Sequence, residues 1–178
     1  MIKNLILLFV LISLVSCSNK SQEKPNFTKY SFENILSYNN EDTIFIKSKF
    51  PDCGEWGGHE ELIKIYRSED RNPKLSYTKF KVDCGVRDSR GSIIQTKMLT
   101  KDIFLSNSQQ LVLMKYMNDL MKSKFLNKEI SNSGNSFYLS NTKEDLKISH
   151  HGNQQILLES YNNLMTSLKL PKVNIDNR

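Results

Sequence analysis

The sequence predicts an α+β fold, an antiparallel sheet of about four to six strands with two helices from the C-terminal half packed on one face. Three observations lead there. Stretches whose apolar residues alternate cluster between residues 42 and 99, stretches with helical spacing follow, and the connections are short. No βαβ unit of about 30 residues is apparent, so neighbouring strands are expected to pair as hairpins.

The elements follow in order. Tyr30, Phe32, Ile35 and Leu36 form a short helical stripe within 27–40. A strand over 42–50 sends Ile44, Ile46 and Phe50 one way and Phe45, Lys47 and Lys49 the other, and Pro51 ends it. A second, over 61–67, pairs Ile63 and Ile65 on one face against Leu62, Lys64 and Tyr66. The charged turn 68–73 leads to a third strand over 74–84. There Thr78, Phe80, Val82 and Cys84 are read as the apolar side, opposite Tyr77, Lys79, Lys81 and Asp83. A fourth strand covers 92–99 after the turn Asp88-Ser89-Arg90-Gly91. Ser106-Asn107-Ser108 then offers an N-cap for a helix to about residue 125, whose stripe is Leu113, Met114, Met117, Leu120, Met121 and Phe125. After the loop 131–135, a hairpin joins 136–140 to 145–150. The last helix spans about 154–168 with Leu157, Tyr161, Leu164 and Leu168 inward, and Pro171 closes it.

The N-terminus carries an address. Met1-Ile2-Lys3-Asn4 is a cationic start, and residues 5–12 are continuously apolar. That run is too short for a spanning helix, which needs about 20 residues, and has the proportions of a secretory leader. It ends in Leu14-Val15-Ser16-Cys17, which resembles the lipobox of bacterial prolipoproteins. The resemblance covers about the first 20 residues and implies cleavage before Cys17, a diacylglyceryl group on its thiol and acylation of the new amine. The expected organisation is a signal peptide over 1–16, a lipidated cysteine and polar tether over 17–26, and one domain over 27–178. Two or three acyl chains hold a bilayer firmly, since each buried CH₂ contributes ~0.8 kcal/mol. Ser18 follows the cysteine where enteric inner-membrane lipoproteins carry Asp, which favours an outer membrane facing the periplasm; the inner membrane and the cell surface stay open as alternatives.

Cys53 and Cys84 remain, and in an oxidising compartment an even pair reads as a disulfide. Closing that loop is expected to stabilise the fold by about 3–4 kcal/mol. A metal site using both cysteines and a histidine is the alternative. The formal net charge of +6 points to anionic lipid head groups, acidic glycans or acidic proteins; export argues against nucleic acid.

Chemistry-bearing residues concentrate in Pro51-Asp52-Cys53-Gly54-Glu55-Trp56-Gly57-Gly58-His59-Glu60-Glu61, which holds the only Trp. Glu55, Trp56, His59 and Glu60 are the candidate binding loop, with Trp56 as anchor. Catalytic signatures fail here. Ile63 stands where a H-E-x-x-H zinc site needs its second histidine, and no G-x-S-x-G elbow occurs. The S-x-x-K spacing recurs three times, once in the tether, without its companion motifs. His150 and His151 are adjacent in a strand and so point to opposite faces, which disfavours their binding one ion together; two surface histidines are expected, with one of them joining His59 as the alternative. A basic, aromatic binding face on Tyr77, Lys79 and Lys81 competes with a plain solvated strand face.

No cofactor, metal or catalytic residue is expected. The expected function is a membrane-anchored, protein-binding module of inhibitor or immunity type engaging an envelope or secreted protein, and an envelope hydrolase acting on glycan or peptide is the alternative. Cys17→Ser is expected to release the protein from membranes while its domain still folds, because Cys53 and Cys84 pair without it. Fractionation after a high-salt wash checks this, and a variant still in the membrane pellet would show the lipid reading to be wrong.

Overall fold

In a computed structural model of the chain, residues 42–54, 57–126, 134–152 and 154–174 are described. The stripe expected within 27–40, the leader, Cys17 and the tether lie outside them. The elements are β1 (Ile44–Lys49), β2 (Glu60–Arg67), β3 (Pro73–Arg87), β4 (Ile93–Phe104), α1 (Asn107–Leu126), β5 (Ser136–Asn141), β6 (Lys147–His151) and α2 (Gln155–Ser167).

All strand pairs are antiparallel, in the order β4-β3-β2-β1-β5-β6. The first four strands follow one another as hairpins. Helix α1 then carries the chain back across the sheet so that β5 joins the free side of β1. This is the α+β arrangement expected from the sequence, with six strands and both helices in the C-terminal half.

Alternation in the strands creates one inner face. Ile44 and Ile46 in β1, Ile63 and Ile65 in β2, Leu75 and Tyr77 in β3, Phe137 and Leu139 in β5 and Ile148 in β6 are all buried. Register places them side by side: Ile46 faces Ile63 and Leu139, while Ile65 lies between Ile44 and Leu75. The helices close this layer with Leu113, Tyr116, Met117 and Leu120 from α1, and Leu157, Tyr161, Leu164 and Met165 from α2. Each such side chain contributes roughly 1.5–3 kcal/mol when fully buried. Phe50, Phe137 and Tyr161 form a ring cluster with centroids 5.6–6.1 Å apart, and Tyr116 meets Tyr161 edge-on at 5.8 Å.

Ser106 caps α1 as the sequence suggests. Its hydroxyl accepts from the Gln109 N–H at 3.4 Å, and its own N–H donates to the Gln109 side chain at 3.0 Å, a reciprocal capping box. The stripe expected on α2 is the buried one, including Leu168. On α1 the stripe is rotated: Tyr116 and Ser123 are buried, whereas Met121 is 45 % and Phe125 85 % exposed. Apolar residues surround this helix almost evenly, so specific contacts set its rotation. Among them are the Tyr116–Tyr161 ring pair and the 3.1 Å hydrogen bond from Ser123 to Gln154.

Strand β3 differs most from expectation. Its inner face is Leu75 and Tyr77, not the Thr78-to-Cys84 series, and Cys84 is exposed. Alternation itself holds over 73–79, where the pairing with β2 is unbroken; Phe80, Val82 and Cys84, which suggest the other face, lie past the end of β2, where two breaks interrupt the pairing with β4. Met98 is an extra residue in β4 between the pairs Lys79–Leu99 and Phe80–Lys97, and residues 83–86 stand opposite Ile94 alone. The pairing of β2 with β3 ends at Glu61–Lys79, so β3 and β4 continue beyond the sheet as a two-stranded ribbon. At its other end β4 runs on to Phe104, past the 92–99 expected, and pairs there with residues 74–78 of β3 within the sheet.

Leu164→Ala is expected to cost about 2–5 kcal/mol, as buried Leu truncations do, and Leu111→Ala on the exposed side of α1 less than ~0.5 kcal/mol. Urea denaturation of the two variants checks the assignment of helix faces.

Candidate functional site

The densest polar chemistry lies where the β1–β2 loop meets the ribbon. Gly57 turns the chain there with a φ of 101°. Gly58 has no room for a side chain, since a Cβ would sit 2.0 Å from the Phe50 carbonyl oxygen and 2.4 Å from the Asp52 nitrogen. Backbone bonds from Cys53 N–H to Gly57 O (2.8 Å) and from Phe50 N–H to His59 O (3.0 Å) tighten the loop. This folding-back carries Asp52 onto His59.

The Asp52 Oδ2 atom accepts from the His59 backbone N–H at 2.7 Å and from ring atom Nδ1. The other ring nitrogen, Nε2, donates to Glu61 Oε1 at 3.3 Å. Glu61 belongs to the inner face of β2 by the same alternation as Ile63 and Ile65, and it is fully buried. Its Oε1 also takes Lys79 Nζ at 3.0 Å, and its Oε2 accepts the Tyr161 hydroxyl at 2.7 Å. Two carboxylates and two cations thus compensate one another.

Charge states follow from this geometry. Burial alone would lower the pKa of His59, but hydrogen bonds to Asp52 and Glu61 outweigh it and push the value up to about 9. Burial works against ionisation of Asp52 and of Glu61, yet the bonds from His59, and for Glu61 also those from Tyr161 and Lys79, hold both below the ordinary carboxylate range. Burial and the Glu61 charge raise the phenols of Tyr161 and Tyr77. With both ring nitrogens donating, His59 is an imidazolium at neutral pH and has no lone pair to act as a general base.

The disulfide joins Cys53 to Cys84 beside this cluster, so both thiols are spent and the metal alternative through them does not arise. The bulged segment 83–86 lets Cys84 leave the ladder and reach the loop. A second tie is Gln95 of β4, whose side chain donates to Gly58 O at 3.0 Å and accepts from Glu60 N–H at 3.1 Å. Between loop, ribbon and the segment at Val173 lies a cleft of about 370 Å³, lined by Phe80, Val82 and Met98 with Asp52, His59, Lys79 and Lys81.

Of the sequence-predicted residues that are described, His59 belongs to this cluster and Glu60 does not. Glu55 and Trp56 lie outside the described residues. Glu60 points away from His59 and pairs with Lys47 at 2.8 Å. His150 is buried and donates from Nε2 to Leu120 O at 2.8 Å, tying β6 to α1, while His151 contacts Tyr138 on the other face. Among the described residues no group of three or more His, Cys, Asp or Glu side chains is placed to hold a metal ion. Sequence reasoning missed Asp52, Glu61, Lys79 and Tyr161. Asp52 and Glu61 do lie in the chemistry-rich stretch 51–61, and Glu61 is also a charge in register with two buried isoleucines. No protein-family model matches the chain, and no curated protein matches it.

The network makes stability depend on pH in a defined sense. The contribution of His59 is complete below its ordinary 6.5 and is lost as pH rises through about 9. The contributions of Asp52 and Glu61 are present above their ordinary values, 3.8 and 4.5, and are lost as pH falls through the lowered ones. Thermal melts should therefore be highest at about pH 5–6.5, and His59→Gln should flatten the alkaline decline. Glu61→Ala, which strands two cations, is expected to cost about 3–5 kcal/mol. Equal melting temperatures at pH 6 and pH 10 in the unmutated protein would contradict this assignment.

Proposed function

We propose that the chain is a lipid-anchored protein of the bacterial envelope whose domain binds another protein, as an inhibitor or immunity protein does. The observation that carries this reading is the ribbon. Residues 80–87 and 93–98 run past the end of β2, and the Cys53–Cys84 bond and Gln95 tie them to the β1–β2 loop. The ribbon exposes Val86 (46 %), Ile94 (43 %) and Met98 (64 %). Apolar side chains on a braced protrusion lose little conformational freedom when a partner covers them, so more of the contact energy appears as affinity.

The sequence supplies the rest of the reading. The lipobox at Cys17 supports anchoring, Ser18 favours the periplasmic face of an outer membrane, and Trp56 lies in the loop that the disulfide braces. The partner is an envelope or secreted protein, and export makes nucleic acid a poor candidate.

The cleft at the ribbon root favours a second reading, an envelope hydrolase acting on glycan or peptide. It ranks lower because the histidine in that cleft is a cation with both nitrogens engaged.

The test is affinity capture from detergent-solubilised envelopes with three baits: wild type, the double variant Val86→Asp/Ile94→Asp, and Trp56→Ala. A specific partner retained by wild type should fall at least about tenfold with the ribbon variant, the loss expected of anchor residues. Identical recovery by all three baits would remove the support for a ribbon interface. Release of product from peptidoglycan or peptide substrates would move the assignment to the hydrolase.

A further inference from the structure

Both described helices cover one face of the sheet, and alternation sends an equal set of side chains to the other. Register aligns them in rows. Lys147, Ser140, Phe45, Lys64, Ser76 and Asp102 cross all six strands in one row. The next row runs through Tyr138, Lys47 and Leu62. Toward the far end of β2, Tyr66 stands beside Lys74 and Phe104.

Two properties of this outer face point to a ligand. Charge is the first: among the described strand residues of this face, five lysines (47, 49, 64, 74 and 147) stand against the carboxylates of Glu60 and Asp102, and Glu60 is already paired with Lys47 at 2.8 Å. The second is that aromatic rings sit between the lysines. Lys64 Nζ lies 6.0 Å from the Phe45 ring centroid, Lys74 Nζ lies 5.2 Å from that of Phe104, and Phe104 is 66 % exposed. Long cationic side chains interleaved with rings suit a boundary between water and hydrocarbon, where the ammonium meets an anionic group and the ring beds below it.

We infer that this outer sheet face docks on an anionic phospholipid surface. The inference rests on the proposed membrane anchor in one respect: a tether of about ten residues keeps the domain within ~30 Å of the bilayer. Anchoring makes docking an intramolecular event, so a weak attraction per lysine suffices to lay the domain down. The ribbon belongs to the opposite end of β2 from Tyr66 and Phe104, so docking through the rows nearest those rings leaves it accessible.

The experiment uses the full chain carrying Cys17→Ser, so that binding does not depend on the lipid. Vesicles of phosphatidylglycerol with phosphatidylcholine are compared by co-sedimentation with vesicles of phosphatidylcholine alone. Any contribution of apolar residues 5–12 is common to both and cancels. The expected result is at least about tenfold tighter binding to the anionic vesicles, lost at high salt. Lys64→Glu/Lys74→Glu/Lys147→Glu should abolish the preference, while Lys122→Glu/Lys143→Glu/Lys172→Glu, the same charge change placed elsewhere, should retain it. Matching circular dichroism and melting temperatures confirm that both variants fold. Equal binding to the two vesicle types, or equal loss in the two triple variants, would overturn the proposal. So would binding to polyglutamate without binding to vesicles. Failure of the anchor shows separately, as release of the unmutated lipoprotein from cell membranes by salt.

Discussion

The buried carboxylate of Glu61 is the point at which separate parts of the chain are held in one arrangement. It lies on β2, accepts hydrogen bonds from His59 in the preceding loop, from Lys79 on β3 and from Tyr161 on α2, and the last of these is 100 residues away. A bare carboxylate at that depth would cost several kcal/mol, so the donors are conditions for closing the core as well as consequences of it. Packing of α2 brings Tyr161, pairing of β3 brings Lys79, and folding of the glycine-rich loop brings His59 already charged by Asp52. Each arrival favours the next.

The loop and ribbon depend on that arrangement in turn. Asp52 has its place because His59 is fixed between it and Glu61, and Cys53 follows Asp52 directly. The disulfide therefore extends a positioning begun by charge. It attaches the ribbon to a loop whose geometry the core has set, and Gln95 attaches it again. The buried carboxylate and the exposed Val86 and Ile94 are thus connected by a short chain of specific contacts.

Much of the architecture was legible in the sequence because it follows from periodicity. The strands at 42–50 and 61–67, the N-cap offered by Ser106-Asn107-Ser108 and the Leu157–Tyr161–Leu164 stripe all rest on local rules that tertiary contacts did not override. The faces of β3 and α1 were not legible, for two physical reasons. In β3 the residues that set the reading, Phe80, Val82 and Cys84, lie beyond the end of β2, where the strand has left the sheet that the helices cover, while Leu75 and Tyr77 alternate inward before that point. In α1 apolar residues lie all around the helix, so distant partners choose its rotation. The site was the least legible part. His59 stood out, but its partners at 52, 61, 79 and 161 come together only through sheet register and helix packing. Tyr77 and Lys79, weighed with Lys81 as a basic, aromatic face against a plain solvated one, turn inward, while lysines and rings stand together on the alternate residues of the same sheet.

The Cys53–Cys84 bond also determines how the chain would come apart if it were cut. It encloses the whole of β2 and the exposed turn at Ser68–Asn72, where Arg67, Arg71 and Lys74 offer sites for trypsin-like cleavage. A nick there leaves both pieces covalently joined and still paired along β2 and β3. Where proteases are present, the domain would survive a single scission in that turn as a two-chain molecule, separable only by reduction.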